Sequence, residues 1–361
     1  MKICFFNTTV AWGGGERWHL DMAKNLEDSS TDVIIAAHQK GVLYQEALSE
    51  NIPAAGFKLK NLSFLNPLKI LSLIRFFKRS NPDVVILNLP RDLKAAGIAA
   101  KRAGVKKIIY RRGSAIPIKN SMMNRFLFKK IVTGVIANSN ETKNTILKNN
   151  SNLIDASKIK VIYNGIDLNK MQNNGTVHNY RNDKNGLIIG NLGRMVEQKG
   201  QEDLIYLAKK LLELNVDFHI VLGGDGPRHN ELVNLAKTHH VQSFITFPGF
   251  VSDVNGFMNS IDIFVLPSRW EGFGYVLVEA MALGKPCIAY NLSSNPEIIH
   301  HGKTGWLMPY SDIDAIALKI KKISEKPQML VSMASDCKNL VRKKFTIEKS
   351  AIEVGRYLAM A

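Results

Sequence analysis

Two glutamates, Glu271 and Glu279, bracket a glycine-rich turn in Glu271-Gly272-Phe273-Gly274-Tyr275-Val276-Leu277-Val278-Glu279. The turn opens an apolar helix, so the free N–H groups of that helix are expected to face the turn. Glu271 should lie in the loop and Glu279 about two turns into the helix. The neighbours of Glu279 (Leu277, Val278, Ala280 and Met281) are apolar, which argues against a solvent-facing surface carboxylate. A carboxylate accepts two hydrogen bonds, which suits the vicinal hydroxyls of a ribose or a hexose. Upstream, Gly193-Arg194-Met195-Val196-Glu197-Gln198-Lys199-Gly200 sets Arg194 directly after a predicted strand and Lys199 just before a predicted helix at 201–214. Both cations can then reach one phosphate group, Arg as a planar bidentate donor and Lys as a movable point charge.

These groups need elements to position them. Short β-branched and aliphatic runs recur between helical patterns, the signal for βαβ units and helix-covered parallel sheets. They fall at 2–6, 33–37, 84–87, 107–110, 135–137 and 160–163, then at 187–189, 218–222, 245–247, 263–266, 287–290 and 306–308. With 361 residues, the chain predicts two domains. We place an N-terminal domain at 1–170, a linker at 171–186 (rich in Asn, Gly and charge) and a C-terminal domain at 187–345. A last helix at about 346–361 is expected to pack back on the first domain. In open parallel sheets ligands bind outside the carboxyl ends of the strands. Those ends carry Gly13-Gly14-Gly15-Glu16, Asn88, Arg111-Arg112-Gly113-Ser114, Asn138 and Asn164 in the first half. In the second they carry Gly193-Arg194, Gly223-Gly224-Asp225-Gly226, Pro248-Gly249-Phe250, the 268–273 turn and Asn291-Leu292-Ser293-Ser294. Two such sheets facing each other would gather these turns around one cleft, an architecture for a bisubstrate enzyme.

Gly-Arg-x4-Lys-Gly at 193–200, followed by Glu-Gly-Phe-Gly-x4-Glu-Ala-Met-Ala-x-Gly-x-Pro at 271–286, resembles the family 4 retaining glycosyltransferases (group 1 glycosyl transferases). Gly-Gly-Gly-Glu at 13–16, Asn-Ser at 138–139, Tyr-Asn-Gly-Ile-Asp at 163–167, Gly-Asp-Gly-Pro at 224–227 and Pro-Glu-Ile-Ile with Gly-x-Thr-Gly at 296–305 also match. The resemblance implies the GT-B fold, two Rossmann-like doubly wound domains facing a central cleft, and transfer from a nucleotide-diphosphate-sugar donor without a metal or other cofactor. It implies that Arg194 and Lys199 bind the diphosphate, that Glu279 binds the ribose and that Glu271 contacts the donor sugar as a binding carboxylate rather than a nucleophile. Gly193, Gly224, Phe273, Gly274 and Tyr275 would line the donor pocket, with Phe250 and Val251 beside the base. Gly14 and Gly15 would bring backbone N–H groups towards the phosphates. Family members often carry a His after the strand corresponding to 107–110, where this chain has Arg111-Arg112. No His lies between 39 and 177. Arginines are therefore expected to hold an anionic acceptor, with Glu16, Arg111, Arg112, Asn138 and Asn164 on the acceptor side. His19 reads as a helix-surface residue.

The charge points the same way. Lys+Arg 48 against Asp+Glu 31 gives +17, and residues 51–150 alone hold 20 basic and three acidic residues, so the other 261 sum to zero. Such a field implies an anionic partner at one surface. The segments 68–80 and 119–131 read as basic amphipathic helices able to lie in an anionic bilayer interface. The acceptor is then expected to be an anionic lipid-linked or polysaccharide chain at the inner membrane face, with a cytoplasmic or peripheral protein. Cys4, Cys287 and Cys337 suit neither a disulfide framework nor a zinc site, and no apolar run is long enough for a signal peptide or a membrane span. Asp312-Ile313-Asp314 matches a metal-binding Asp-x-Asp pattern but reads as a helix cap. A nucleotide-sugar epimerase or phosphorylase on the same fold is the enzyme alternative. A nucleic-acid-binding protein fits less well, for lack of interleaved aromatic and basic residues.

Overall fold

The computed structural model describes residues 1–27, 30–172, 175–180 and 186–360. The chain divides into two compact units, Met1–Gly165 with Ile347–Ala361, and Ile166–Thr346.

The first unit holds a seven-stranded sheet in the order β3-β2-β1-β4-β5-β6-β7. Its strands are β1 (Lys2–Asn7), β2 (Asp32–Ala37), β3 (Ala54–Gly56), β4 (Val84–Leu87), β5 (Lys107–Arg112), β6 (Gly134–Ala137) and β7 (Ile159–Val161). Every pairing is parallel. The central strands are apolar through their middles (Ile3–Phe6, Val84–Leu87, Ile108–Tyr110) because helices cover both faces. One face packs Tyr110, Phe76, Phe77 and Phe128, and the other packs Trp18, Met22 and the helix Ile347–Met360. That helix is pinned in the unit by Ser350 Oγ donating to Tyr163 O (2.9 Å) and by Tyr357 Oη donating to Lys158 O (2.9 Å).

The second unit holds six parallel strands in the order β10-β9-β8-β11-β12-β13. They are β8 (Leu187–Leu192), β9 (Phe218–Gly223), β10 (Ile245–Gly249), β11 (Ile263–Leu266), β12 (Cys287–Tyr290) and β13 (Gly305–Met308). The strand order reverses between β1 and β4 in one sheet and between β8 and β11 in the other. These switch points are where an open parallel sheet leaves a crevice at its carboxyl edge.

All the strands expected from the apolar runs form. The one not foreseen is β3, whose Ala54-Ala55-Gly56 has no apolar run to find. It is set beside β2 by Ile35 N donating to Pro53 O (2.9 Å) and Phe57 N donating to Ala37 O (2.8 Å). The domain boundary also differs. Ile166 bridges to Thr346 and donates to Phe345 O at 2.9 Å, which ties the residues after Gly165 to the second unit. Of the expected 171–186 linker, Asn173, Asn174 and 181–185 lie outside the described residues. The stretch 175–180 is held in the second unit, with Thr176 N donating to Asp253 Oδ2 (2.8 Å) and His178 N to Ser260 Oγ (2.7 Å). Of the two basic helices, one runs Pro67–Ser80, capped by Asn66. The other begins only at Met122, capped by Ser121, and continues from Leu127 to Ile131 as a wider π turn.

Candidate functional site

At the β8/β11 switch point two loops close on each other. Gly193–Gly200 follows β8 and Pro267–Gly274 follows β11. Arg269 N donates to Gln198 O (2.8 Å) and Gln198 Nε2 to Trp270 O (2.9 Å), which locks the loops side by side. Glycine is required at two places. Gly200 has φ +60 and a Cβ there would sit 2.3 Å from Pro267 O. Gly224 has φ +128 and a Cβ would meet Gly193 O at 2.0 Å, so the turn after β9 presses directly on the turn after β8.

This clasp brings Lys199 and Glu271 together. Lys199 Nζ lies 2.5 Å from Glu271 Oε1, and Ser268 Oγ donates to the same oxygen at 2.8 Å. Ser294 Oγ, from the turn after β12, donates to Glu271 O at 3.2 Å. Glu271 is buried, not a free carboxylate at a loop tip, and Lys199 is its ion-pair partner rather than a second mobile cation. Arg194, by contrast, is exposed, and its guanidinium makes no hydrogen bond or ion pair among the described residues. The Lys199 stem packs beside Gly193, where a Cβ would be in ordinary contact with Cε at 3.6 Å. The apolar helix begins at Tyr275, so buried Glu279 stands about one turn in, not two. Phe273 is buried against the rings of Tyr275 and Phe345. Phe250 is 81% exposed, next to Val251, which packs towards Gly223.

Behind the clasp is a charged layer that the sequence reading did not single out. Glu202 accepts from Arg228 Nη1 (2.8 Å) and from Arg269 Nη2, and Tyr290 Oη donates to Asp203 Oδ2 at 2.6 Å. Arg269 thereby anchors the Glu271 loop to the helix Glu202–Glu213 that follows Lys199. The pattern is invisible in sequence because its members come from four separate segments, the helix after Lys199, the turn after β9, the loop after β11 and β12. Asp312 caps its helix, accepting from Ala315 N (2.8 Å), and Asp314 pairs with Lys210 (3.1 Å), so both carboxylates of the Asp-x-Asp have structural partners.

The β1/β4 switch point of the first unit carries the other expected residues. Gly14 and Gly15 begin the helix Gly14–Leu26, with Gly15 packed so closely on Asn88 that a Cβ would lie 2.6 Å from Nδ2. Glu16 is buried and accepts from Asn7 Nδ2 at 2.7 Å. His19 is fully buried, not on the helix surface: its Nδ1 bonds Gly15 O (2.9 Å), and burial pushes its pKa down to about 3, so the ring is neutral near pH 7. The helix was foreseen, but not that its His-bearing face is the one laid on the sheet.

Arg111 and Arg112 part company. Adjacent strand residues point to opposite faces. Arg111 is 2% exposed, donating to Asn88 Oδ1 (3.1 Å) and Asn164 Oδ1 (3.0 Å) with its Cζ 5.0 Å from the Trp18 ring centroid. That corrects the expectation that it reaches out to an acceptor: the guanidinium is buried among the loop ends it joins. Arg112 turns to the other face and donates to Ile116 O at 2.7 Å. Asn138 is buried, its Oδ1 accepting from Thr142 Oγ1 (2.8 Å), which makes it part of the start of the next helix. No helix among the described residues is long and apolar enough to cross a membrane.

Comparison with known proteins gives the fold and the family. The solved structure of Anabaena HepE in complex with UDP-glucose superposes with a TM-score of 0.84 over the whole of both chains, at 23% identity. Among curated relatives, the Escherichia coli UDP-Gal:alpha-D-GlcNAc-diphosphoundecaprenol alpha-1,3-galactosyltransferase is 26% identical, the match covering 97% of this chain and 94% of that one. The capsular polysaccharide biosynthesis glycosyltransferase CapM of Staphylococcus aureus is 28% identical over 80% of this chain and 79% of its own. The model for Glycosyltransferase Family 4 matches residues 12–170 and that for Glycosyl transferases group 1 matches residues 177–343. With nearly its full length covered by these two models and its two parallel-sheet units in the GT-B fold, the chain belongs to the group 1, family 4 glycosyltransferases.

Proposed function

We propose that the protein is a retaining, metal-independent transferase that moves a hexose from a nucleoside diphosphate sugar to a saccharide on a lipid diphosphate. The carrying observation is the β8/β11 site, where the turn that carries exposed Arg194 also carries Lys199, paired with buried Glu271. As the bond from the anomeric carbon to the phosphate oxygen breaks, its electron pair goes to the departing diphosphate. Arg194, on the turn after β8, and Lys199, held in place by Glu271, meet that charge, which is the role a metal would otherwise fill. Glu271, polarised by Lys199 and Ser268, holds the donor sugar's hydroxyls, and Glu279 holds the ribose. The acceptor hydroxyl attacks from the face the diphosphate leaves, and its proton passes to the leaving phosphate, so configuration is retained without an enzyme-linked sugar. Uridine is the base suggested by the HepE complex and by the galactosyltransferase relative.

The test is a mixture of UDP-galactose and GlcNAc-diphosphoundecaprenol with excess EDTA. UDP release that depends on the acceptor, together with an α-linked product by NMR, is the expected result. A β-linked product, a galactosyl adduct on Glu271, or full inhibition by EDTA overturns the corresponding part of the reading.

The first unit also fits a membrane face. Leu68 and Met122, at 75% and 82% exposed, stand on the two basic helices beside Lys69, Arg75, Arg125 and Lys129. Apolar side chains standing out of a cationic surface suit an interface of anionic lipid. Cosedimentation should be stronger with anionic than with neutral vesicles, and to fall with salt. Equal binding to both removes this part.

A further inference from the structure

The Arg112 side of β5 carries a feature that the donor site does not use. A cavity of about 320 Å³ opens at the carboxyl ends of β4 and β5, wholly within the first unit. Its floor is apolar: Leu93, Leu127 and Phe128 are buried there, and the Tyr110 ring meets Phe128 edge-on at 5.6 Å. Its walls are cationic. Lys94, Arg112 and Lys119 all line it, and no carboxylate does. Lys94 is held over the Phe64 ring at 5.8 Å, and Arg112 is held by Nη2 donating to Ile116 O at 2.7 Å and by a side-chain hydrogen bond with Tyr110.

The combination selects a class of ligand. Three cations with no counter-charge call for a phosphate-bearing head, and the leucine and aromatic floor calls for an apolar group attached to it. The volume is at the low end for ligand pockets, enough for a head group and the first carbons of a chain but not for a long lipid. A chain leaving the cavity meets Ile116 and Met122, both exposed and each adjacent in sequence to a lining residue.

We propose that this cavity holds the diphosphate and the first isoprenoid carbons of the lipid-linked acceptor. The proposal rests on the transferase reading and adds to it the place where the lipid end of the acceptor is gripped. It also gives the adjacent arginines separate tasks, Arg111 bracing the loop ends and Arg112 facing the lipid phosphate.

Calorimetric titration of the full chain with farnesyl diphosphate, inorganic diphosphate and farnesol tests it. Farnesyl diphosphate should bind at least about tenfold more tightly than either fragment, since each lacks one of the two contacts. The double variant Lys94→Ala/Lys119→Ala should weaken it by about tenfold or more, because both lysines are surface-reaching and removable without core loss. Met123→Trp, which fills the cavity, should do the same. Both variants should bind UDP as the wild type does, which shows that they fold. Arg194→Ala should leave farnesyl diphosphate binding unchanged. Loss of binding in Arg194→Ala, undiminished binding in the lysine variant, or equal binding of inorganic and farnesyl diphosphate each overturns the proposal. Failure of the underlying reading looks different: the wild type would then bind farnesyl diphosphate but neither UDP nor a UDP-sugar.

Discussion

Lys199 Nζ and Glu271 Oε1, 2.5 Å apart, form one largely shielded ion pair rather than two independent site residues. Their side chains are 20% and 7% exposed, so removing one partner strands the other. Lys199→Met or Glu271→Gln should each cost about 3 kcal/mol of stability. The double variant Lys199→Met/Glu271→Gln should be much less destabilised than the sum of the singles, since no charge is left unpaired. Urea unfolding midpoints measure this. Singles that add up to the double would show that the pair is not coupled.

Arg194 is the contrasting case, exposed and without an intramolecular partner among the described residues. Nothing in the fold depends on it, so Arg194→Ala should leave the melting temperature unchanged. If it binds the diphosphate, the same change weakens UDP by about tenfold or more, the worth of a charge-assisted hydrogen bond. Uridine, which has no phosphate, should bind both proteins alike. Arg194→Lys should recover only part of the loss, because the planar two-point fork is gone. An equal effect on uridine and UDP would remove the phosphate role.

Glu279, buried about one turn inside its helix, is assigned the ribose. Glu279→Gln should then weaken UDP more than the 2′,3′-dideoxy nucleotide, which has no hydroxyls to lose. Parallel losses for the two ligands would make Glu279 a structural group only.

The fold was legible because buried parallel strands carry their signal in single apolar runs. Only β3, with Ala54-Ala55-Gly56, lacked one. The donor-side residues were legible because their motifs are contiguous: Gly193 to Gly200 and Glu271 to Glu279 each hold their own turn. What the sequence did not show was how the motifs touch. The Lys199–Glu271 pair spans two strands, and the Glu202–Arg269–Arg228 layer draws on three turns. Likewise, strand alternation alone could have separated Arg111 from Arg112, but β5 had been expected to end at Tyr110, and it runs two residues further. His19 was misread for a related reason: a helix reads as amphipathic from its apolar residues, and a neutral His on the buried side does not announce itself.

Arg111 bridges Asn88 and Asn164 and lies over Trp18. A lysine keeps the charge but cannot serve two acceptors in a fixed plane while stacking on a ring. Arg111→Lys should therefore destabilise the first unit by about 2 kcal/mol, as measured by denaturation. Arg112→Lys should change stability by less than about 0.5 kcal/mol, the usual scale for a partly exposed position. Equal stability of the two variants would mean that Arg111 is not the brace its contacts describe.

Asp92 lies at the β1/β4 switch point, fully buried, accepting hydrogen bonds from Thr8 N (2.8 Å) and from Thr8 Oγ1. Burial raises its pKa from 3.8 to about 6, against the lowering effect of the Thr8 donors and Arg91. The folded protein then holds a proton that the unfolded chain has lost between about pH 4 and pH 6. Stability contributed at this position is accordingly greatest at the acidic end of that window and declines as pH rises through it, by about 3 kcal/mol in all for a shift of this size. Asp92→Asn keeps the shape of the side chain and removes the titration. The difference in unfolding free energy between wild type and Asp92→Asn should therefore slope across pH 4 to 6 and flatten above about pH 7. Because Thr8 begins the loop that leads to Gly14 and Gly15, the helix Gly14–Leu26 should lose amide protection, measured relative to the intrinsic exchange rate, as pH rises through the same window in the wild type and not in Asp92→Asn. A wild-type-minus-variant difference that is flat from pH 4 to 8 would show that Asp92 titrates with an ordinary pKa and that the Thr8 contacts hold the charged form without penalty.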